Sequence, residues 1–509
     1  MYNLATMLDH NLGRYPDAIA LRQDGRLVTN RELHARVCSL AAALRERGVG
    51  RGDVVAILAY NHIEFLETVF AVNRLGAAFL PLNYRLAPPE WQYILDHGRA
   101  VAIVTEDAFR SDIDLVTPAL PALRHRILLG EDAPSGWTAY EGVVAAHPDA
   151  FVPAEPVGEH DLQRLMYTSG TTSRPKGVCV SHGNVLWKNF GHLVEFGITS
   201  TDVTLVCGPL YHVGGLDLPG IATLQAGGTL VIQRKFEARG ALELITAERP
   251  TNVWLAPAMM NAILHVPDLA DFDTSSIRFV IGGGEKMPEP LVERIIRAFP
   301  NAWFSDAYGL TETVSGDTFN DPEHVLSKVG SVGRPVIHLE VRVVDDDGHE
   351  LPPGQLGEIT LRGPKVFSGY WRDEAATAAA LRGGWFHTGD VGRLDDDGYL
   401  YVEDRKKDMI VSGGENIATP EVERVLYEHD DVVEAAVVGM PHARWGEVPQ
   451  AFVVLRDGAL ADAAVLREFC TARLARFKAP AAFTFVEKLP RTPTGKVLKR
   501  ELRTRERRS

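Results

Sequence analysis

Cysteine is scarce in this sequence. Four cysteines, Cys38, Cys179, Cys207 and Cys470, are scattered over 509 residues, and none of them forms a Cys-x-x-Cys pair. This spacing argues against a zinc site and against a disulfide-stabilised scaffold, and it is typical of proteins from a reducing compartment. We therefore expect a cytoplasmic protein.

Long apolar runs and an excess of positive charge are also missing. No stretch approaches 18 consecutive apolar residues, and no basic segment followed by an apolar run stands at the N-terminus, so we expect neither a membrane span nor a signal peptide. The formal net charge of -14 at pH 7 argues against general binding of nucleic acid or of membrane surfaces. Any polyanionic ligand must therefore meet locally placed cations.

The length of the chain, 509 residues, exceeds what one hydrophobic core supports, so we expect at least two domains. In the N-terminal part, a helix begins after Thr29, with Glu32 at the spacing of a capping box. A strand at 54–58, a helix at 63–75 and a strand at 77–81 then form a βαβ unit. This alternation is typical of a mostly parallel sheet covered by helices.

The character of the sequence changes twice further along. From 329 to about 401, short strands separated by Asp-Gly and Pro-Gly turns indicate a β-rich subdomain. We predict an α/β protein with a large N-terminal domain, residues 1–404, of parallel-rich sheets with helices plus this subdomain, and a small α+β C-terminal domain, residues 405–509. Between 216 and 281 the elements expected are helices at 216–226 and 238–248 and strands at 229–232, 252–255 and 277–281.

The stretch 167–178, Tyr-Thr-Ser-Gly-Thr-Thr-Ser-Arg-Pro-Lys-Gly-Val, combines hydroxyls, glycines and two cations. Apolar residues on both sides predict a loop between two strands. Glycines let a backbone approach a ligand, and N–H groups with hydroxyls can hold phosphate oxygens, which Arg174 or Lys176 could neutralise. The other interpretation is a polar surface hairpin. A Walker A loop is excluded, because Pro175 precedes the lysine and a strand pattern follows.

The stretch 306–313, Asp-Ala-Tyr-Gly-Leu-Thr-Glu-Thr, is a second candidate for phosphate binding. The hydroxyl of Thr311 could bond a phosphate, Glu312 could hold Mg²⁺, and Tyr308 offers a ring on which a base could stack. The alternative is an ordinary helix start capped by Thr311. Further motifs are each weak alone, because tight turns, packed histidines and solvated basic tails give similar patterns: Gly-Gly-Gly-Glu at 282–285, Tyr-His at 211–212, Thr-Gly-Asp at 388–390, Gly-Gly-Glu at 413–415 and Pro-Thr-Gly-Lys at 493–496.

Taken in order, these motifs resemble those of the adenylate-forming superfamily, which includes acyl- and aryl-CoA synthetases, luciferases and the adenylation domains of peptide synthetases. The loop 167–178 resembles the form S-G-T-T-G-x-P-K-G, with Ser173 in place of the second glycine. The stretch 308–312 resembles Y-G-x-T-E, 388–390 resembles T-G-D, and 493–496 resembles P-x-G-K. The resemblance covers nearly the whole chain.

The resemblance implies a role for each matching position. It implies catalytic roles for Lys496, Thr311, Glu312 and the gate residue His212, and Mg²⁺ held by Glu312 and Thr168. It implies that Asp306 reads the adenine amino group and that Asp390 and Arg405 bind ribose. It also implies a mobile C-terminal domain with its hinge at Lys407. Trp445, Phe477 and Lys478 fall in regions where members of the superfamily contact the CoA nucleotide. The nucleotide- and CoA-binding positions that the resemblance implies are Thr168, Ser169, Gly170, Thr171, Thr172, Lys176, Gly284, Glu285, Asp306, Ala307, Tyr308, Gly309, Asp390, Arg405 and Gly414.

The activity implied is that of an ATP-dependent carboxylic acid–CoA ligase with ATP, Mg²⁺ and CoA as cofactors. The acid would be a fatty acid or an aryl or cinnamic-type acid, and Asp217 would add a polar group to its pocket. One alternative is a ligase that loads the phosphopantetheine of a carrier protein; another is a non-catalytic binder of nucleotide or acyl groups. We expect no nucleic acid partner, and the resemblance leaves a homodimer open.

Overall fold

The computed structural model describes residues 2–168, 175–283, 289–412, 415–442, 444–491 and 497–505. Packing divides the chain into two compact units. The first consists of Met1–Glu340 and Leu361–Phe386, and the second of Val341–Thr360 and His387–Ser509. Two segments that precede residue 404 thus group with the C-terminal part, and the division at residue 404 stays a prediction.

One sheet of the first unit has seven strands, all parallel to their neighbours except in the last pair. The predicted βαβ unit is confirmed within it, with helix Ile63–Arg74 between two parallel strands. Across the sheet the strands are Thr138–Ala139, His125–Leu128, Ala100–Thr105, Val54–Leu58, Ala78–Pro81, Leu162–Thr168 and Lys176–Ser181.

The other large sheet of this unit has nine strands, parallel in its middle and antiparallel at both edges. Parallel strands of this kind carry ligand-binding loops at their carboxyl ends. Across the sheet the strands are Arg334–Pro335, Thr318–Phe319, Trp303–Tyr308, Phe279–Gly283, Asn252–Leu255, Val203–Val206, Thr229–Ile232, Ile19–Gln23 and Arg26–Thr29.

Helices cover these sheets. The capping box is confirmed: the Thr29 side chain accepts from the Glu32 N–H, and the Glu32 carboxylate accepts from the Thr29 N–H. The α-helices of this unit are Thr6–Arg14, Asn30–Glu46, Ile63–Arg74, Pro88–Gly98, Asp107–Val116, Tyr140–Ala145, His182–Phe196, Val213–Leu216, Ala222–Ala226, Ala238–Glu248, Pro257–Leu264, Glu289–Ala298 and Glu374–Ala380; the 3-10 turns are Thr117–Ala119, Leu269–Asp271 and Thr311–Thr313.

The continuous helix predicted at 216–226 is wrong. A π-helical turn, Asp217–Ile221, separates two short helices, and Leu218 leaves the helical region with φ -106° and ψ 102°. The reason is Pro219, which disfavours helical dihedrals at the preceding residue and supplies no N–H to the helix. The strand predicted at 277–281 is displaced and spans Phe279–Gly283.

The second unit contains most of one five-stranded sheet, the whole of another, and three helices among the described residues. In the first of these sheets, strand Leu381–Arg382 belongs to the first unit, and the strands Glu340–Val344, Gly357–Arg362 and Trp385–Leu394 have residues in both. The first sheet contains Glu340–Val344, Gly357–Arg362, Trp385–Leu394, Leu381–Arg382 and Leu400–Arg405; the second contains Glu415–Ile417, Ile410–Ser412, Gly446–Leu455, Val432–His442 and Ala482–Phe485; the helices are Thr419–Tyr427, Ala463–Thr471 and Lys499–Arg505.

Each unit has hydrophobic cores of its own. Separate clusters of buried side chains lie along the seven-stranded and nine-stranded sheets, and two more lie in the second unit. The predicted α/β class, with a large N-terminal part and a smaller C-terminal one, is confirmed. In the described part of the chain, no helix combines the length and the apolar character that crossing a membrane requires.

Candidate active site

The carboxyl ends of three parallel strands lie side by side in the nine-stranded sheet. Gly282, near the end of one strand, is in register with Leu255 on one side and with Asp306 on the other. The next residue, Gly283, has φ +149°, and a Cβ there would lie 2.6 Å from the carbonyl oxygen of Ala307. Only glycine allows this close approach. Gly284 and Glu285, predicted to contact the nucleotide, lie outside the described residues.

Asp306 is 6% exposed at the end of strand Trp303–Tyr308. Its Oδ1 accepts a hydrogen bond of 3.0 Å from the N–H of Ala307. Burial raises the pKa of the Asp306 carboxyl to about 7, while the Ala307 hydrogen bond lowers it. Tyr308 is also buried. The strand therefore places the residues predicted to read and stack on adenine together at the sheet edge, and their roles stay predictions.

A tight turn carries Glu312 directly after this strand. Thr311–Thr313 form a single 3-10 turn, and Val314 and Ser315 follow in the left-handed region, with φ values of 60° and 61°. A Cβ on Gly309 would lie 2.4 Å from the backbone nitrogen of Gly316, so the turn closes only with glycine at 309. Glu312 is 9% exposed. The turn thus holds its carboxylate in a nearly buried position.

The strands on either side of the stretch 169–174 are antiparallel, with Thr168 in register with Lys176. This confirms that the stretch connects two strands. Its residues Ser169, Gly170, Thr171 and Thr172 lie outside the described residues. The Lys176 ammonium lies 4.9 Å from the ring centroid of Tyr370.

Tyr370 connects the lysine strand to the glutamate turn. Its hydroxyl donates a hydrogen bond of 2.9 Å to Oε1 of Glu312. The backbone around it is fixed on both sides: the N–H of Trp371 donates to the carbonyl of Gly177 at 2.7 Å, and the N–H of Phe367 donates to the carbonyl of Glu312 at 2.7 Å. Sequence analysis missed Tyr370, because the only signal was its position in an ordinary Gly-Tyr-Trp run.

His212 directly precedes the short helix Val213–Leu216, six residues after strand Val203–Val206 of the same sheet ends. Its Nδ1 accepts from the N–H of Gly214 at 3.1 Å, and its ring stacks on Trp254 with centroids 6.2 Å apart and planes inclined by 23°. A Cβ on Gly214 would lie 2.4 Å from the indole of Trp254. Asn61 fixes the preceding segment by accepting from the N–H of Leu210 at 2.9 Å. Trp254 is a second residue that sequence analysis missed.

The expectation that Asp217 contributes a polar group to an acid pocket is wrong. Asp217 is 0% exposed, and its two carboxylate oxygens accept from the Arg164 guanidinium at 3.2 and 2.7 Å. The Lys188 ammonium lies 3.6 Å from Oδ1 as well. The carboxylate is thus used inside the protein as the partner of two buried cations.

In the second unit, the two predicted ribose ligands contact each other. Asp390 and Arg405 are cross-strand partners, and Nε of Arg405 lies 2.7 Å from Oδ1 of Asp390. The Asp390 side chain is 5% exposed and that of Arg405 is 43% exposed. Gly389, with φ +72°, makes the bend before the aspartate. The structure brings these two residues together, and their contact with ribose stays a prediction.

Gly414 and Lys496 lie outside the described residues. The contacts of Lys499, three residues after Lys496, are described. The Lys499 ammonium lies 2.8 Å from Oε1 of Glu423 and donates to the hydroxyl of Thr419. Of the predicted CoA contacts, Trp445 and Phe477 are exposed, whereas Lys478 pairs with both carboxylate oxygens of Glu421 at 2.8 Å. Lys499 is therefore engaged in the packing of the second unit.

The donor groups of the first unit suit the groups that the resemblance implies. Mg²⁺ prefers oxygen ligands, which Glu312 provides through a carboxylate and Thr168 through a hydroxyl. Phosphate oxygens need cations, which Lys176 provides next to the loop. The buried Asp306 carboxyl can bond an amino group. Carboxylate, hydroxyl and cation therefore form a chemically fitting set for a metal–nucleotide complex.

Comparison with known proteins finds matches over nearly the whole chain. A model of the AMP-binding enzyme family matches residues 8–371, and a model of the AMP-binding enzyme C-terminal domain matches residues 421–496. A feruloyl-CoA synthase from an Amycolatopsis species is 41% identical over 96% of both chains. An indoleacetate–CoA ligase from Aromatoleum aromaticum is 40% identical over 98% of this chain and 97% of its own. The solved structure of an anthranilate CoA ligase with anthranoyl-AMP has a TM-score of 0.91, at 29% identity over 99% of this chain and 97% of its own.

Proposed function

Because this chain belongs to the AMP-binding enzyme family, we propose which residues carry its two-step reaction and which class of acid it activates. The protein is an acid–thiol ligase. It activates a carboxylic acid as an acyl-adenylate with release of pyrophosphate, and it then transfers the acyl group to CoA with release of AMP. The adenylate is needed because a carboxylate repels nucleophiles and has no usable leaving group, whereas AMP is a good leaving group.

In the first step, a carboxylate oxygen attacks the α-phosphorus of ATP and the bond to pyrophosphate breaks. We propose that the loop 167–178 and Lys496 hold the phosphates and the attacking carboxylate in line, because positioning and electrostatics dominate such a transfer. Asp306 bonds the adenine amino group, Tyr308 stacks on the base, and Asp390 with Arg405 binds the ribose hydroxyls. Mg²⁺, held by Glu312 and Thr168, supplies charge neutralisation at the phosphate oxygens when bound.

For the second step, the CoA thiol attacks the acyl carbon and AMP leaves. We propose that the Gly414 segment lines the path of the pantetheine and that the C-terminal part turns about a hinge at Lys407 between the steps. The hinge lies three residues after the predicted division at residue 404. We also propose that the protein is cytoplasmic and forms a homodimer.

We propose that the acid carries an aromatic ring. The observation that carries this proposal is the stacked pair of His212 and Trp254 at the carboxyl edge of the nine-stranded sheet. Flat aromatic surfaces favour stacking with an aromatic ligand. The names of the three similar proteins support the same class, since feruloyl, indoleacetate and anthranilate groups are all aromatic.

The test is AMP release with ATP, Mg²⁺ and CoA over a panel of octanoic, benzoic, cinnamic, ferulic and indoleacetic acids. We expect kcat/KM for the preferred aromatic acid to exceed that for octanoic acid by at least about tenfold, and the Trp254→Leu variant to reduce this ratio. Trp187→Leu is the matched control, because Trp187 packs on Phe190 and His338 instead. A preference for octanoic acid would contradict the proposal of an aromatic acid. Faster acyl transfer to a carrier-protein phosphopantetheine than to CoA would contradict CoA as the acceptor.

A further inference from the structure

The turn that follows Glu312 is held by a buried ammonium group. Nζ of Lys365 donates to the carbonyl oxygens of Ser315 at 2.9 Å and Gly316 at 2.6 Å. It also lies 2.8 Å from Oδ1 of Asp317, and the side chains of lysine and aspartate are 3% and 0% exposed. Three oxygens of three consecutive residues thus meet one buried cation.

The backbone of this turn is unfavourable without such a partner. Val314, Ser315 and Gly316 all have φ near +60°, a region that β-branched residues such as valine rarely adopt. Their conformation directs successive carbonyl groups toward Lys365. Residues in such regions persist only where their surroundings impose the geometry. Here the N–H groups of Ser315 and Asp317 donate to the carbonyls of Leu310 and Tyr308 at 2.8 and 2.7 Å, and the Lys365 contacts fix the carbonyl groups on the other side of the turn.

The same segment of chain also forms hydrogen bonds with Glu312 directly. Phe367, two residues after Lys365, donates its N–H to the Glu312 carbonyl at 2.7 Å, and Tyr370 bonds the Glu312 carboxylate at 2.9 Å. The segment is itself anchored, since the Asn184 amide donates to the carbonyls of Pro364 and Val366 at 2.9 Å each. Lys365 therefore belongs to an anchored segment that contacts both the turn and Glu312.

Stability alone does not account for this arrangement. Taking a lysine and an aspartate out of water is costly, and buried ion pairs are often no more stabilising than apolar residues of similar size. Burial lowers the pKa of Lys365 while Asp317 raises it, so the cost of burial and the attraction of the ion pair act in opposite directions. A pair that contributes little net stability but fixes a strained turn is suited to positioning.

We propose that Lys365, paired with Asp317, is a positioning residue that sets the orientation of Glu312 for the adenylation step. The proposal rests on the proposed function, in which Glu312 holds Mg²⁺. Lys365 itself touches neither substrate nor metal. It fixes the carbonyl groups of residues 315 and 316, and through them the end of the turn that begins at Thr311.

The test uses the double variant K365M/D317N in the full-length chain, because removing both charges leaves no unpaired buried ion. Acid-dependent exchange of pyrophosphate into ATP is measured against Mg²⁺ concentration. We expect the Mg²⁺ concentration for half-maximal exchange to rise about fivefold or more and the maximal exchange rate to fall about tenfold, because small misplacements near the reaction centre have large effects. Thioester formation from supplied acyl-adenylate and CoA should stay within about twofold of wild type, because it needs no Mg²⁺-bound ATP.

A folded double variant with unchanged Mg²⁺ dependence would overturn the proposal, and the role of Lys365 would be structural. Lys365→Arg, which keeps a cation opposite Asp317 but changes its contacts with the carbonyl groups of residues 315 and 316, gives a second measurement if the double variant does not fold. A smaller rise in the Mg²⁺ concentration for half-maximal exchange is expected, and no rise would overturn the proposal. Glu67→Gln removes another fully buried carboxylate, paired with Arg36, and should lower Tm without changing Mg²⁺ dependence. Glu312→Gln tests the proposed function separately. If this variant has the Mg²⁺ dependence of wild type, Glu312 does not bind the metal, whatever the result for Lys365.

Discussion

The hydroxyl of Tyr370 donates a hydrogen bond of 2.9 Å to the carboxylate of Glu312. The same ring lies beneath the Lys176 ammonium, 4.9 Å from its centroid. One tyrosine therefore contacts both the proposed metal ligand and the proposed phosphate ligand, and it comes from a segment nearly 200 residues away from Lys176 in the chain.

Replacement of Tyr370 by phenylalanine should slow adenylation by about tenfold, because a hydrogen bond to a charged group is worth roughly 1.5–3 kcal/mol. The ring and its contact with Lys176 remain in this variant, but a bond to a nearly buried carboxylate is lost, so Tm should fall to an extent similar to that in Tyr140→Phe. Acid-dependent pyrophosphate exchange measures the effect. Tyr140→Phe is the matched control, because the Tyr140 hydroxyl donates to the buried Glu67 at 2.8 Å; it should lower Tm and leave exchange unchanged. Equal kinetics for both variants would contradict the prediction.

Asp306 should make stability depend on pH. Its pKa is raised to about 7 by burial, so between pH 4 and pH 7 the folded chain holds a proton that the unfolded chain has lost. The free energy of unfolding therefore falls as the pH rises through this window, by up to about 1.4 kcal/mol per pH unit for one group.

The Asp306→Asn variant lacks this titration. We expect its urea midpoint to match that of wild type near pH 4 and to exceed it increasingly up to about pH 7, after which the difference becomes constant. Glu131→Gln, at an exposed position, should keep the wild-type profile. Parallel profiles for wild type and Asp306→Asn from pH 4 to pH 8 would show that Asp306 does not titrate in this range.

Loss of Arg405 should weaken ATP binding. Arg405 pairs with the nearly buried Asp390 at 2.7 Å, and both are proposed to bind ribose. In Arg405→Met we expect KM for ATP to rise about tenfold, with KM for CoA unchanged, because charge-assisted hydrogen bonds are lost. Arg393→Met is the control on the same strand pair, since Arg393 contacts Glu403 at 3.6 Å. A similar KM for ATP in both variants would separate Arg405 from the ribose.

Local chemistry explains which elements were predictable. The helix after Thr29 and the strand Val54–Leu58 follow from a capping box and an apolar run, and both are confirmed. The break at Leu218 was also predictable, because Pro219 disfavours a helix at the preceding residue. Sequence analysis weighed the apolar spacing of this segment above its proline.

The missed site contacts depend on residues that are distant in the chain. Tyr370 reaches Glu312 across 58 residues, and Arg164 reaches Asp217 across 53. Neither pair leaves a local pattern, since a single tyrosine or arginine is common in any sequence. The motifs identified Glu312 and Asp306 as candidate site residues. Only the fold shows that Tyr370 bonds Glu312 and that burial raises the pKa of Asp306.

Two lysines close to the C-terminus should separate catalysis from stability. Lys499 pairs with Glu423 at 2.8 Å, so Lys499→Met leaves a largely buried carboxylate without its cation. We expect it to lower Tm by several degrees while the exchange rate of the folded enzyme stays close to wild type. Lys496→Met should do the reverse, with exchange reduced by roughly 100-fold or more and Tm unchanged, because Lys496 is proposed to act on charge that develops during the transfer. Both variants remove one positive charge from the same short segment, so a loss of general electrostatic attraction would affect them equally. Loss of exchange in Lys499→Met with full activity in Lys496→Met would assign the catalytic role to the other lysine.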